Sequence, residues 1–402
     1  MGFTKYILPV LSVAGAAFAA SNGTCPDTDD DGAYTITSQS EADALSSCTT
    51  FDGTVVIDSS VSGNIQINGV QQITGNLSAY NATALTSIST DQLNAIGGYF
   101  RLEEITVLST LQMSSLTSVD VINFVGLPNL QSLTFSSGVQ KASGVRIVNT
   151  QLQSLDGIEL DSVGAMEVTN NDYLTDFNVN NLAEVTSYLT VAANGADLSI
   201  EFPNLLTAAN LTFRNVSSVS VPSLANVTGA LGCYSNSFKT FSAANLTTVG
   251  NALVFNDNSK ITNISIPELL SVGGAYQIAN NSALKVIDGF TKLKTIGGGL
   301  DFSGDFTNVS LPALEDVKGQ FNIQSTSELD CSEFKEDKEN KVIKGSYYCS
   351  GSLAEAGTAG SRSSSTASSS GSGSSSTSAA IAMDMDAATM GIFGALAALF
   401  MI

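Results

Sequence analysis

The sequence predicts an all-β chain wound as a right-handed parallel β-solenoid, with about 12 rungs of about 22 residues between two disulfide-bonded caps that carry short helices. Three observations predict it. An apolar anchor recurs at Val70, Leu93, Leu116, Val139, Leu160, Leu182, Leu205, Leu224, Leu246, Leu269, Leu293 and Leu314, at intervals of 19 to 24 residues. A short distance beyond each anchor come two apolar residues two apart, such as Phe100 and Leu102, Val145 and Ile147, or Leu253 and Phe255. That period of two marks a short strand with one buried face. No unit holds a 3.6-residue period long enough for a three-turn helix, while Val, Thr and Asn abound. A unit this short cannot bury its own apolar side, so it must stack on its neighbours.

The elements follow in chain order. Residues 1–19 read as a signal peptide, with Lys5, an apolar run and Ala17-Phe18-Ala19 as the cleavage pattern. Residues 20–69 form an N-terminal cap with the first strands, a short helix over Ser40–Ser47 and a bridge from Cys25 to Cys48. Residues 70–330 are the repeats, long enough for two lobes. After each strand comes an Asn-rich turn (Asn149, Asn170, Asn194, Asn215, Asn236, Asn258, Asn281), where amides can stack, satisfy backbone groups and tolerate left-handed dihedrals. Pro128, Pro203, Pro222, Pro267 and Pro312 lead into the next anchor region. Residues 331–350 form a second cap, with a helix over Ser332–Lys341 and a Cys331–Cys349 bridge; like the first, this bridge closes a loop of about twenty residues at one edge of the repeats. Residues 351–378 are a Ser-rich stalk and 379–402 a removable apolar tail, the layout of a GPI-attachment signal. The attachment residue is expected among Gly373, Ser374, Ser375, Ser376, Thr377 and Ser378.

Composition removes whole classes of function. The 402 residues hold no His, which rules out Ser-His-Asp chemistry and imidazole-based zinc sites. A net charge of −21 repels phosphate backbones, so no nucleic-acid partner is expected. Charged residues make up 13% of the chain, well below the usual quarter. Glycans would supply the missing solubility: acceptor sequences begin at Asn22, Asn76, Asn81, Asn210, Asn215, Asn226, Asn245, Asn263, Asn280 and Asn308. Export, glycans, disulfides and a lipid tail agree on the outer face of the plasma membrane as the location.

Several constellations compete as sites. Asp27 to Gly32 resembles the first half of a calcium loop, but Ser38 stands where a bidentate Glu is needed, so a solvated acidic loop is favoured and no metal or cofactor is expected. Cys233 falls at an inward strand position, in register with Phe255 and Val191, which favours a buried inert thiol. Glu103 with Glu104, and Glu167 with Asp172, are the best carboxylate pairs for a glycosidase, yet neighbours on a strand face opposite ways. The outward side of the principal strands is more distinctive. It takes three of the four Arg (Arg101, Arg146, Arg214), with Tyr99, Tyr188, Tyr234 and Glu167, beside Glu103, Thr190 and Thr212. No glycan acceptor lies between Asn81 and Asn210. This bare face is the candidate contact surface for an extracellular polymer or a protein partner, against the plain alternative of Arg–Glu pairing across rungs.

An export signal, an N-terminal Cys pair, rungs of the type Pro-x-Leu-x-x-Val-x-Gly with an Asn turn, a closing Cys pair, a Ser-rich stalk and a GPI signal occur here in one order. This order resembles the fungal GPI-anchored cell-wall organisation proteins related to the yeast sporulation-specific wall glycoproteins, whose fold is similar to the L domains of insulin and growth-factor receptors. The resemblance implies a non-enzymatic role in wall organisation, integrity and morphogenesis, through wall polysaccharide or wall and membrane proteins, with no catalytic residue to carry over. A glucan-remodelling transglycosylase and an adhesin or receptor-like ectodomain remain the alternatives; the sequence does not give the oligomeric state.

Overall fold

A computed structural model describes residues 25–357. The signal peptide, Asn22, the tail and the attachment residues Gly373–Ser378 lie outside the described residues.

Parallel strands stack from Ala33–Ile36 at one end to Tyr347–Ser350 at the other, in about 14 turns of about 22 residues. The expected 12 rungs fall short because the caps are themselves rungs. Ala33–Ile36 pairs with Thr54–Ile57, and Tyr347–Ser350 with Phe321–Ser325. Register places Cys48 where the next rung has Val70, so the N-terminal disulfide is built from an anchor position. Both bridges, Cys25–Cys48 and Cys331–Cys349, form.

Each principal strand sends two side chains inward. Leu77, Phe100, Ile122, Val145, Met166, Leu189 and Leu211 stack in one column. Leu102, Phe124, Ile147, Val168, Val191, Phe213, Cys233 and Phe255 stack in the next. All of them are buried, and adjacent rings meet edge to face, as Phe100 and Phe124 do with centroids 5.1 Å apart. Cys233 is fully buried between Phe213 and Phe255, and burial pushes its thiol pKa up, away from thiolate chemistry. A second column of short strands precedes the first, and the bend between the two is tight. A Cβ on Gly250 would lie 2.0 Å from the Thr228 carbonyl oxygen, and one on Gly273 2.1 Å from that of Gly250. Only glycine permits that approach of successive rungs.

The turn asparagines divide into two columns that the sequence reading had merged. Asn170 and Asn215 adopt left-handed dihedrals directly after the strand, as do Asn81 and Asn280, and Asn149 does so at the end of the strand Gly144–Thr150. Asn194, Asn236, Asn258 and Asn281 sit one place further on, with Asn171, and are buried. Asn258 shows their role. Its Oδ1 accepts from the Asn236 N–H at 3.0 Å and the Asn236 Nδ2 at 2.9 Å, and its Nδ2 donates to the Cys233 carbonyl at 3.0 Å. Asn281 repeats the pattern one rung on. The amides replace the water that these turn groups would otherwise need.

The ends are closed. At the N-terminus, the helix Gln39–Ala44 continues as a 3₁₀ turn over Leu45–Ser47, with Glu41 accepting from the Ser38 N–H as half of a capping box. The helix Ser332–Glu339 caps the other end. Beyond Ser350 the chain crosses the outward face of the last rungs. Leu353 N donates to the Ser325 carbonyl and Gly357 N to Gln324 Oε1, and this buries outward-facing Asn322 and Gln324.

Replacing Asn258 by Ala removes the acceptor of the Asn236 N–H and the donor to the Cys233 carbonyl, and should destabilise the fold by roughly 2–5 kcal/mol. Exposed Ser259→Ala should change stability by no more than about 0.5 kcal/mol. Urea unfolding of the secreted chain followed by circular dichroism measures both, and equal midpoints would refute the role given to the ladder.

Candidate functional site

The candidate site is built from two neighbouring columns on the outward side of the large sheet. The residue just before each inward pair forms the first column, in which Tyr99, Val121, Gly144, Ala165 and Tyr188 are successive register partners. Four steps of about 4.8 Å set the two tyrosines about 19 Å apart along the axis. Both are exposed, at 48% and 40%, while the residues between them are small or short. The outcome is a shallow trough of about 440 Å³ with an aromatic ring at each end.

The residue between the inward pair forms the second column: Arg101, Asn123, Arg146 and Glu167 in register. It is one hydrogen-bonded wall. Arg101 donates Nε and Nη2 to the two oxygens of Glu103, each at 2.7 Å, in a fork. Asn123 Nδ2 donates to Glu103 Oε1 at 2.7 Å, and Arg146 Nη1 reaches Asn123 Oδ1 at 3.4 Å. Arg146 Nε closes the series on Glu167 Oε2 at 3.2 Å. The Arg101 guanidinium also lies 4.7 Å from the centre of the Tyr80 ring. Two cations and two anions cancel along this wall. The fork from Arg101 holds the Glu103 carboxyl below its usual range, with Asn123 adding to the effect.

Of the sequence candidates, Tyr99, Arg101, Arg146 and Tyr188 line the trough, and Glu167 closes the network beside it. Arg214 and Tyr234 do not join them. They share the face but lie in a third column, past the second inward residue, where the guanidinium sits 5.3 Å from the centre of the Tyr234 ring. Asn123, Tyr80 and the floor residues Val121, Gly144 and Ala165 escaped the sequence reading. Counting one place before each inward pair would have found the floor.

The competing constellations are not assembled. Glu103 ends its strand and Glu104 turns away with a left-handed φ of 53°, while Asp172 lies beyond the left-handed turn at Asn170. In the acidic loop, Asp29 Oδ1 accepts from the backbone N–H groups of Asp31 and Ala33. Among the described residues no three His, Cys, Asp or Glu side chains gather to hold a metal ion.

Comparison with known proteins agrees with the architecture. A family model described as Ecm33, GPI-anchored cell wall organization protein, matches residues 1–46. The chain is 46% identical over 349 residues to "Protein ecm33" of Aspergillus fumigatus, covering 87% of this chain and 86% of that one. It is 43% identical over 349 residues to a "Cell surface GPI-anchored protein" of Arthroderma benhamiae, covering 87% and 88%. "Sporulation-specific protein 2" of Saccharomyces cerevisiae is 28% identical over 294 residues, covering 72% of this chain and 58% of its own length. No solved structure matches the chain. With that identity over nearly its whole length, the chain belongs to the Ecm33 family of GPI-anchored cell wall organization proteins.

Proposed function

We propose that this chain is a non-catalytic surface glycoprotein, held by a GPI lipid on the outer face of the plasma membrane and in the wall, that organises wall polymer by seating a neutral glucan segment in the trough between Tyr99 and Tyr188. One observation carries the reading: two exposed aromatic side chains stand at the two ends of a floor of small residues, beside a wall of hydrogen-bonding groups whose charges cancel. Aromatic rings offer apolar platforms to the C–H faces of sugars, and Arg, Asn and Glu heads offer donors and acceptors to hydroxyls. A wall without net charge suits a neutral chain better than an anionic one.

The same wall argues against hydrolysis or transglycosylation. A glycosidase acid must hold its proton near working pH, which takes a raised pKa. Glu103 is shifted the other way, and both of its oxygens are engaged by Arg101.

Secreted protein should bind purified insoluble wall glucan saturably and leave its chain lengths unchanged. Tyr99→Ser with Tyr188→Ser should weaken glucan binding at least about tenfold, while Arg214→Ser, outside the trough, should not. Equal binding by all three proteins, or altered chain lengths, would overturn the proposal.

The sign of the pH dependence follows from Glu103. Because its folded pKa is depressed, the Arg101 pair is complete above the ordinary carboxylate range and is lost only as pH falls through the lower folded value. Binding should therefore hold constant from pH 7 down to about 5 and decline in stronger acid. Arg101→Ser should move that decline to higher pH. A pH series of the same pull-down measures it, and identical profiles for the two proteins would refute the role of the pair.

A further inference from the structure

The trough's first column continues for one rung past each tyrosine, and on both sides the next residue is an asparagine. Asn76 precedes Leu77, the partner of Phe100, and so stands beside Tyr99. Asn210 precedes Leu211, the partner of Leu189, and so stands beside Tyr188. The two amides are held alike. Asn76 Oδ1 accepts from the Tyr99 N–H at 2.8 Å and Asn210 Oδ1 from the Ala230 N–H at 3.0 Å. Each Nδ2 donates backward by one rung, to Thr54 Oγ1 at 3.4 Å and to the Ser187 carbonyl at 2.9 Å. Both residues open acceptor sequences, Asn76-Leu77-Ser78 and Asn210-Leu211-Thr212. In the sequence between them the remaining acceptor is Asn81, which lies in the left-handed turn column past the far end of the strand.

We infer that Asn76 and Asn210 carry N-linked glycans that close the two ends of the trough, so that it takes a short or crossing segment of neutral glucan and turns away a chain running on along the solenoid axis. The inference rests on the glucan reading above and adds a limit on length. Six rung steps separate the two asparagines, an interval of about 29 Å. The modification is compatible with the folded contacts. Transfer of an oligosaccharide from a lipid diphosphate donor forms a C–N bond to Nδ2, which gives up one proton as the lipid diphosphate leaves. The remaining N–H is enough for the one backward bond that each amide makes, and Oδ1 is untouched.

Ser78→Ala with Thr212→Ala abolishes both acceptor sequences and keeps both asparagine amides. Glycopeptide mass spectrometry of the secreted wild-type protein should find Asn76 and Asn210 occupied. Binding of soluble β-glucan oligomers of increasing length should then fall off in the wild type beyond the trough's span, while the double variant binds the longest oligomers about tenfold more tightly than the wild type does. If the double variant is not secreted, endoglycosidase trimming of the native wild-type protein supplies the same comparison. An unoccupied Asn76 or Asn210, or the same length dependence with and without glycans, overturns this inference and leaves the glucan reading standing. Failure of both forms to bind any oligomer removes the glucan reading and this inference with it.

Discussion

Parallel, in-register stacking governs everything else in this molecule. A rung cannot satisfy its own strand: its N–H and C=O groups pair with the rungs above and below, as Leu211–Arg214 does with Leu231–Tyr234 and Glu184–Ala192. Stability is therefore a sum of neighbour contacts, and the end rungs need covering. The disulfides, the two short helices and the chain from Gly351 to Gly357 provide that cover. The turns face the same demand and meet it with buried asparagines, whose amides run along the axis from Asn236 through Asn258 to Asn281.

Stacking also turns sequence position into surface geometry. Residues about 22 apart become neighbours roughly 4.8 Å apart on a rigid face. The trough depends on this. Its rings are held by backbone register, and its wall by a continuous series of bonds from Arg101 to Glu167. A face ordered before its ligand arrives loses little side-chain freedom on binding, which suits an organiser of extended polymer. An isolated exposed ion pair would contribute little; here the fork from Arg101 to Glu103 and the shared Asn123 make the pairs a positioned surface.

Much of the fold could be read from residues alone, because the inward pairs are strictly local: Phe100 with Leu102 and Leu253 with Phe255 declare a buried face without knowledge of their neighbours. The cap rungs could not, since Cys48 occupies an anchor position without an aliphatic side chain, and at the other end Tyr347 and Cys349 stand where the preceding rung has its inward pair Phe321 and Ile323. The asparagine turns were visible as composition but not as two columns, because one residue of offset separates a left-handed Asn170 from a buried Asn171. The shared face of Arg101, Arg146 and Glu167 followed from strand alternation. Its floor did not, because Val121, Gly144 and Ala165 are ordinary residues that gain meaning from lying between two tyrosines.

The most direct test of the trough as the wall contact is hydroxyl-radical footprinting of the secreted glycoprotein with and without insoluble glucan. Among the described residues four tyrosines are comparably exposed: Tyr99 and Tyr188 in the trough, Tyr173 and Tyr348 away from it. The account predicts that glucan protects Tyr99 and Tyr188 and leaves Tyr173 and Tyr348 as reactive as before. Protection of Tyr173 or Tyr348 with the trough pair unchanged would contradict it.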